Sequence, residues 1–254
     1  MSRSDPIRKN YYDAVEMADK LSDWLFYIGA LLSFAPLLVD PVKDPNAYVA
    51  VLIAFTLAVL ALFAVGLASR LYLTPRAEDK RRQDFFSSAC GVHLIHQKSD
   101  GYYNNDLTDP IKRMAAQVLE NSLFSKTISI RMAKSERIKI SIYAVLWLIC
   151  LLYRRTDLGV VVAASQAVFS EQVLSKWFRL EWLRMRFEKT FEDLYKLFQS
   201  QPPVSQFNAM ALDAFSMYEA AKANAAITLS SKIFEDVNPT LSTEWETIKK
   251  ALGI

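Results

Sequence analysis

The stretch NAYVAVLIAFTLAVLALFAVGLAS, residues 46–69, runs for 24 positions without a charge. At 1.5 Å per residue a helix of this length extends roughly 36 Å, enough to cross a hydrocarbon core of about 30 Å with some tilt. The stretch predicts a transmembrane helix. Three shorter uncharged stretches lie at residues 24–39, 140–153 and 158–170. The first reaches bilayer width if Leu21, Ser22 and Asp23 form its headgroup end, with Trp24 and Tyr27 as interfacial aromatics. The last two span only if Lys139, Arg154 and Arg155 snorkel and Glu171 lies at the membrane edge. A buried hairpin in a soluble domain is the other reading of this second pair.

Charge placement favours four spans. With the N-terminus inside, 27 of the 30 Lys and Arg residues fall on the cytoplasmic side, including Arg76, Arg81 and Arg82 after the second span and Lys176, Arg179 and Arg184 after the fourth. Arg154 and Arg155, in the short outside turn, run against the rule. The expected architecture is all-α: an integral membrane protein with two transmembrane hairpins. It comprises an amphipathic cytoplasmic helix (residues 1–23), a first hairpin (24–70), a cytoplasmic middle region (71–137), a second hairpin (138–174) and a cytoplasmic helical tail (175–254). The first apolar stretch follows 23 residues that hold five acidic ones, so it reads as an anchor and not as a cleaved signal peptide.

The tail divides by pattern. Leu180, Leu183, Phe187, Phe191, Leu194 and Phe198 step by three or four and predict a long amphipathic helix over 174–199, with Glu192 and Lys196 paired on its wet side. Pro202 and Pro203 stop it. An alanine-rich helix is expected over 205–234, then a break at Asn238-Pro239 and a last helix capped by Thr243 and Glu246. Pro110 is expected to open a helix running toward Ser135.

Composition excludes several functions. The chain has 254 residues, 52% hydrophobic and 22% charged, with a formal net charge of +3, which excludes a disordered protein. Two cysteines cannot build a disulfide scaffold. The six glycines never lie closer than ten residues apart, so the glycine-rich phosphate loops and the nucleophile elbow are missing. Any nucleotide would have to be held by side chains. Nothing resembles a catalytic constellation, and no enzyme activity, cofactor, DNA or RNA is expected.

Three clusters remain. Cys90, His93 and His96 have ligand types that zinc uses, but positions i and i+6 lie on opposite sides of a helix, so an ordinary mixed-polarity segment is the plainer reading. Tyr102, Tyr103, Asn104, Asn105 and Lys98, near Arg81 and Arg82, combine rings, amides and cations that could stack and pair a base; the same residues suit a surface turn. Gln166, Ser170 and Glu171, beside a Gly159, Ala163, Ala167 stripe, suit either a pore-lining face or interhelical hydrogen bonds.

The order of parts resembles a known family. A hairpin, a cytoplasmic segment with Arg81-Arg82-Gln83-Asp84-Phe85-Phe86-Ser87-Ser88-Ala89-Cys90-Gly91, then Tyr102-Tyr103-Asn104-Asn105, a second hairpin and a helical tail resemble the four-transmembrane effectors associated with bacterial second-messenger nucleotidyltransferases. Ser88-Ala89-Cys90 departs from the family's pattern, where Asn and Phe precede the glycine. The resemblance implies an antiphage effector in the bacterial inner membrane. It would oligomerise and permeabilise or depolarise that membrane when a cyclic oligonucleotide from a partner synthase binds its cytoplasmic part. The ligand-binding candidates are Arg81, Arg82, Lys98, Tyr102, Tyr103 and Asn104; the pore-lining candidates are Gln166, Ser170 and Glu171. A membrane scaffold that docks a partner protein without pore activity is the alternative.

Overall fold

The computed structural model describes residues 5–97, 99, 103, 105–152, 158–168 and 171–254. These residues are helical throughout, with irregular connections and no strand. The helices are α1 (Asp13–Phe34), α2 (Pro45–Ala68), α3 (Thr74–Cys90), α4 (Pro110–Leu152), α5 (Leu158–Val168), α6 (Lys176–Ser200), α7 (Val204–Ala225) and α8 (Ser231–Leu252). They form two compact units. One comprises residues up to Tyr12, 75–134 and 179–254; the other comprises 13–74 and 135–178.

In the second unit α1 packs against α2. Their connection is dictated by local chemistry: α1 ends at Phe34, Pro36 sits in a single 3₁₀ turn, and the Asp40 carboxylate accepts from the Val42 and Lys43 N–H groups at 2.9 and 3.3 Å. The first apolar stretch is therefore α-helical only as far as Phe34. Pro45 opens α2, its fixed φ suited to a first helical position. A π-helical turn over Ser69–Leu73 then carries α2 into α3 without a break, giving one helix from Pro45 to Cys90. Pro75 explains the widened turn: it lacks an N–H, and its ring would crowd the Leu71 carbonyl in a regular α-helix. Among the described residues this is the one helix long and apolar enough to cross a membrane. The other uncharged stretches fall short of that length: Asp13, Glu16, Asp19, Lys20 and Asp23 precede the first on α1, Glu136, Arg137 and Lys139 precede the third on α4, and α5 has 11 residues.

The first unit is built round an apolar core. Leu119 and Leu123 of α4, Leu183, Phe187 and Leu194 of α6, Tyr218 of α7 and Trp245 of α8 are buried together. The stripe expected on α6 is the buried one, with Phe191 packed at its margin. Ala211, Ala214, Ala221 and Ala225 line the buried side of α7, where small residues permit close helix approach. The tail differs from expectation in two places. Ala226 adopts a left-handed conformation (φ 47°) and ends α7, where the alanine-rich pattern predicts continuation to residue 234. Ser230 then caps α8 by accepting from the Ile233 N–H at 3.3 Å, and α8 runs through Pro239 to Leu252. Thr243 is no cap. Its hydroxyl donates to the Pro239 carbonyl inside the helix at 3.1 Å. Val237, Leu241, Trp245 and Leu252 hold α8 on the core, and their burial outweighs the hydrogen bond that Pro239 cannot make.

Candidate functional site

The segment from Arg81 to Gly91, with its charges, rings and hydroxyls, occupies the C-terminal half of α3, and nearly every polar side chain in it has a defined partner. Arg81 Nη2 meets Asp5 Oδ2 at 2.6 Å, and the guanidinium lies 5.5 Å from the Tyr12 ring centre. Arg82 pairs with Asp79 at 2.7 Å and remains half exposed. Asp84 is buried and accepts from both the N–H (3.1 Å) and the hydroxyl of Ser99. Ser87 Oγ donates to the Gln83 carbonyl at 2.7 Å and accepts from the Leu94 N–H at 3.0 Å. The Gln117 amide donates to Ser88 Oγ at 2.9 Å. Thus Asp84 and Ser87 tie the connection after α3 back onto the helix.

Rings gather on the other side of the same turns. Phe85 contacts Tyr103 edge-on at 5.7 Å, stacks with Phe215 of α7 at 5.4 Å and touches Phe86 at 5.5 Å. Gln117 Oε1 and the side-chain amide of Asn105 are buried without a hydrogen-bond partner among the described residues. A carboxamide in that state can pair with a group that offers one donor and one acceptor side by side.

One helical turn before Arg81, Glu78 joins a second polar cluster. The Tyr12 hydroxyl donates to Glu78 Oε1 at 2.8 Å, Lys222 Nζ reaches Glu78 Oε2 at 2.6 Å, and Lys222 also meets Glu219 at 3.2 Å. Burial alone would lower the Lys222 pKa, yet the Glu78 and Glu219 carboxylates hold it well above its ordinary value. Burial likewise pushes Glu78 up, and the charge and hydrogen bond of Lys222, with the Tyr12 hydroxyl, bring it below the usual carboxylate value. Tyr12 is raised well above 10, first by burial and then by the neighbouring Glu78 charge. No periodicity in the sequence marks these partners. The sequence cues were an isolated lysine in an alanine-rich helix and the Asp5-Pro6 pair, a helix-start signature.

Of the expected ligand-binding residues, Arg81, Arg82 and Tyr103 fall on or beside the end of α3, whereas Lys98, Tyr102 and Asn104 lie outside the described residues. Ser170 lies outside them as well, as do the side chains of Gln166 on α5 and of Glu171, which opens the π-helical turn before α6. In the same helix Ser165 Oγ accepts from Trp147 Nε1 at 2.8 Å, an interhelical hydrogen bond from α4. Cys90 is the last residue of α3, and Gly91 at φ 68° ends the helix, so Cys90, His93 and His96 do not share a helical face. Both histidines are exposed, and among the described residues no three His, Cys, Asp or Glu side chains gather as a metal site. Comparison with protein-family models, curated proteins and solved structures finds no match.

Proposed function

We propose that this protein is a multi-pass effector of bacterial antiphage defence in the inner membrane, with both termini cytoplasmic. It oligomerises and permeabilises or depolarises that membrane when a cyclic oligonucleotide, made by a partner synthase, binds the cytoplasmic region between its hairpins. The observation that carries this reading is α2. It is apolar on every face, most of its side chains are exposed, and it continues into the strongly charged α3, which bears Arg81 and Arg82. Such a helix is at home in lipid, and its charged continuation is suited to water and to an anionic ligand.

In this reading the hairpins pair residues 24–70 and 138–174, with lipid and further copies of the chain as partners. Arg81 and Arg82 meet the phosphates, and Tyr102, Tyr103, Asn104 and Lys98 meet a base. Gln166, Ser170 and Glu171 line the path through the assembled spans. No residue is assigned a catalytic role. The test is membrane potential during inducible expression, with and without a nucleotide synthase. Depolarisation that depends on the synthase is expected; an unchanged potential in both arms refutes the reading.

A second reading, a constitutive scaffold, draws on Met185, Val204, Met210 and Leu212, large apolar side chains exposed on α6 and α7. Gln166→Leu combined with Glu171→Gln separates the two. A scaffold tolerates the pair, whereas a polar conduit loses conductance.

A further inference from the structure

Residues 5–12 are held by side-chain contacts to α3, to the connection after it and to α8. Ile7 is fully buried. Arg8 pairs with Glu235 at 3.1 Å, Asn10 donates to Gln97 at 2.9 Å, Tyr11 lies under the Arg76 guanidinium, and Tyr12 reaches Glu78. Asp5 carries two bonds on one carboxylate. Oδ1 accepts from the Arg8 N–H at 3.0 Å and so caps the helical turns of residues 6–12 that precede α1, while Oδ2 binds Arg81 at 2.6 Å. The Arg81 side chain is 14% exposed and that of Asp5 17%, so this pair is substantially shielded from water. Asp84 stands 4.0 Å from the other arm of the guanidinium but is already bound by Ser99. The planar fork of an arginine binds a carboxylate and a phosphate in the same way, because both present paired oxygens at matching spacing.

From this geometry we infer that Arg81 forms an anion site for a phosphate or phosphodiester group, and that Asp5 is its resting occupant. The inference rests on the ligand-gated reading above and supplies its regulation. An external anion must displace the internal carboxylate, so the apparent dissociation constant equals the intrinsic one divided by the fraction of molecules in which Arg81 is open. Displacement also removes the cap from the helix start, because the same carboxylate holds the Arg8 N–H. Ligand binding is thereby linked to loosening of residues 5–12, whose last residue directly precedes α1.

The test uses the full-length protein in detergent with inorganic pyrophosphate as the probe. Asp5→Asn keeps the shape and the cap but removes the charge, and should bind pyrophosphate at least tenfold more tightly than the natural protein. Asp5→Glu should restore the weaker binding, and adding Arg81→Gln to Asp5→Asn should abolish the gain. Hydrogen exchange across residues 5–12 of the natural protein should rise on saturation with pyrophosphate, with residues 114–128 of the core unchanged. Equal affinity of the natural protein and Asp5→Asn, persistence of the gain without Arg81, or unchanged exchange at saturation would each overturn the inference. These readouts do not require a membrane, so they decide the displacement independently of whether the protein depolarises cells.

Discussion

Helices α2 and α6 are nearly equal in length, 24 and 25 residues, and opposite in design. In α6 most of the apolar residues form one buried stripe: Leu180, Leu183, Phe187 and Leu194 are nearly inaccessible, while Glu188, Lys189, Glu192 and Lys196 take the other face beside the exposed Met185. In α2 they occupy every face, and Leu57 and Phe63 are 59% and 67% exposed. Water rewards the first arrangement by about 25 cal/mol for each Å² of apolar surface removed from it, and penalises the second by the same physics. The two helices thus present opposite surfaces: α6 a polar face over a buried stripe, α2 an apolar surface on every side.

Loss of packing gives the largest expected effect. Trp245→Ala opens a cavity among Leu123, Tyr218 and their neighbours in the helical core, and should cost about 3–5 kcal/mol, read by thermal unfolding of the first unit. On the other side of the comparison, Leu57→Arg places a charge near the middle of α2. In lipid the substitution should cost about 2.5–3.5 kcal/mol of insertion, read as loss of the alkali-resistant membrane fraction. In water an exposed leucine should tolerate it within about 0.5 kcal/mol. An unchanged membrane fraction would break the contrast between the two helices.

How much of this was legible depended on how local the signal is. The α6 stripe and the charge-free α2 are written in consecutive residues, and their helices appear near the expected positions. The break between α7 and α8 is not, because Ala226 takes a left-handed conformation with no glycine to announce it. Gly91 and Gly253, both at positive φ, do announce the ends of α3 and α8. The Thr243 box was a genuine local pattern overridden by tertiary burial of Leu241 and Trp245 around it. For the candidate site, the sequence pointed to residues 81–91, and the structure places Arg81 and Arg82 on α3. The partners that neutralise its charges, Asp5 and Lys222, lie 76 and 144 residues from Arg81 and Glu78, and no spacing rule connects such positions.

The polar cluster tests whether the first unit tolerates partly buried charge only when it is paired. Lys222→Met leaves Glu78 without its cation. Removing one member of a fully buried pair costs about 3–5 kcal/mol, and the partial exposure here reduces the expectation to about 2 kcal/mol. The pH dependence has a defined sign. The Glu78 pKa is depressed, so its contribution is present above the ordinary value near 4.5 and is lost as pH falls through the folded value. The Lys222 pKa is raised, so its contribution is present below about 10.5 and lost as pH rises through the folded value. The stability gap between the natural protein and Glu78→Gln should therefore be widest at neutral pH and should close in acid. A gap that stays constant from neutral pH to pH 3 would show that Glu78 contributes through packing and not charge.

The smallest effect is expected on the wet face of α6. Glu192 and Lys196 lie one turn apart, with the glutamate toward the N-terminus, the favourable order for the helix dipole. Their charged atoms are 3.9 Å apart and both side chains are about two-thirds exposed, so water and salt screen the attraction. Lys196→Ala should change stability by less than about 0.5 kcal/mol, and the loss of the pair is partly offset by the higher helix propensity of alanine. A loss above about 1 kcal/mol in denaturant unfolding would mean that this face is covered, by a further copy of the chain or by a partner. The α6 surface would then no longer be the aqueous counterpart of α2.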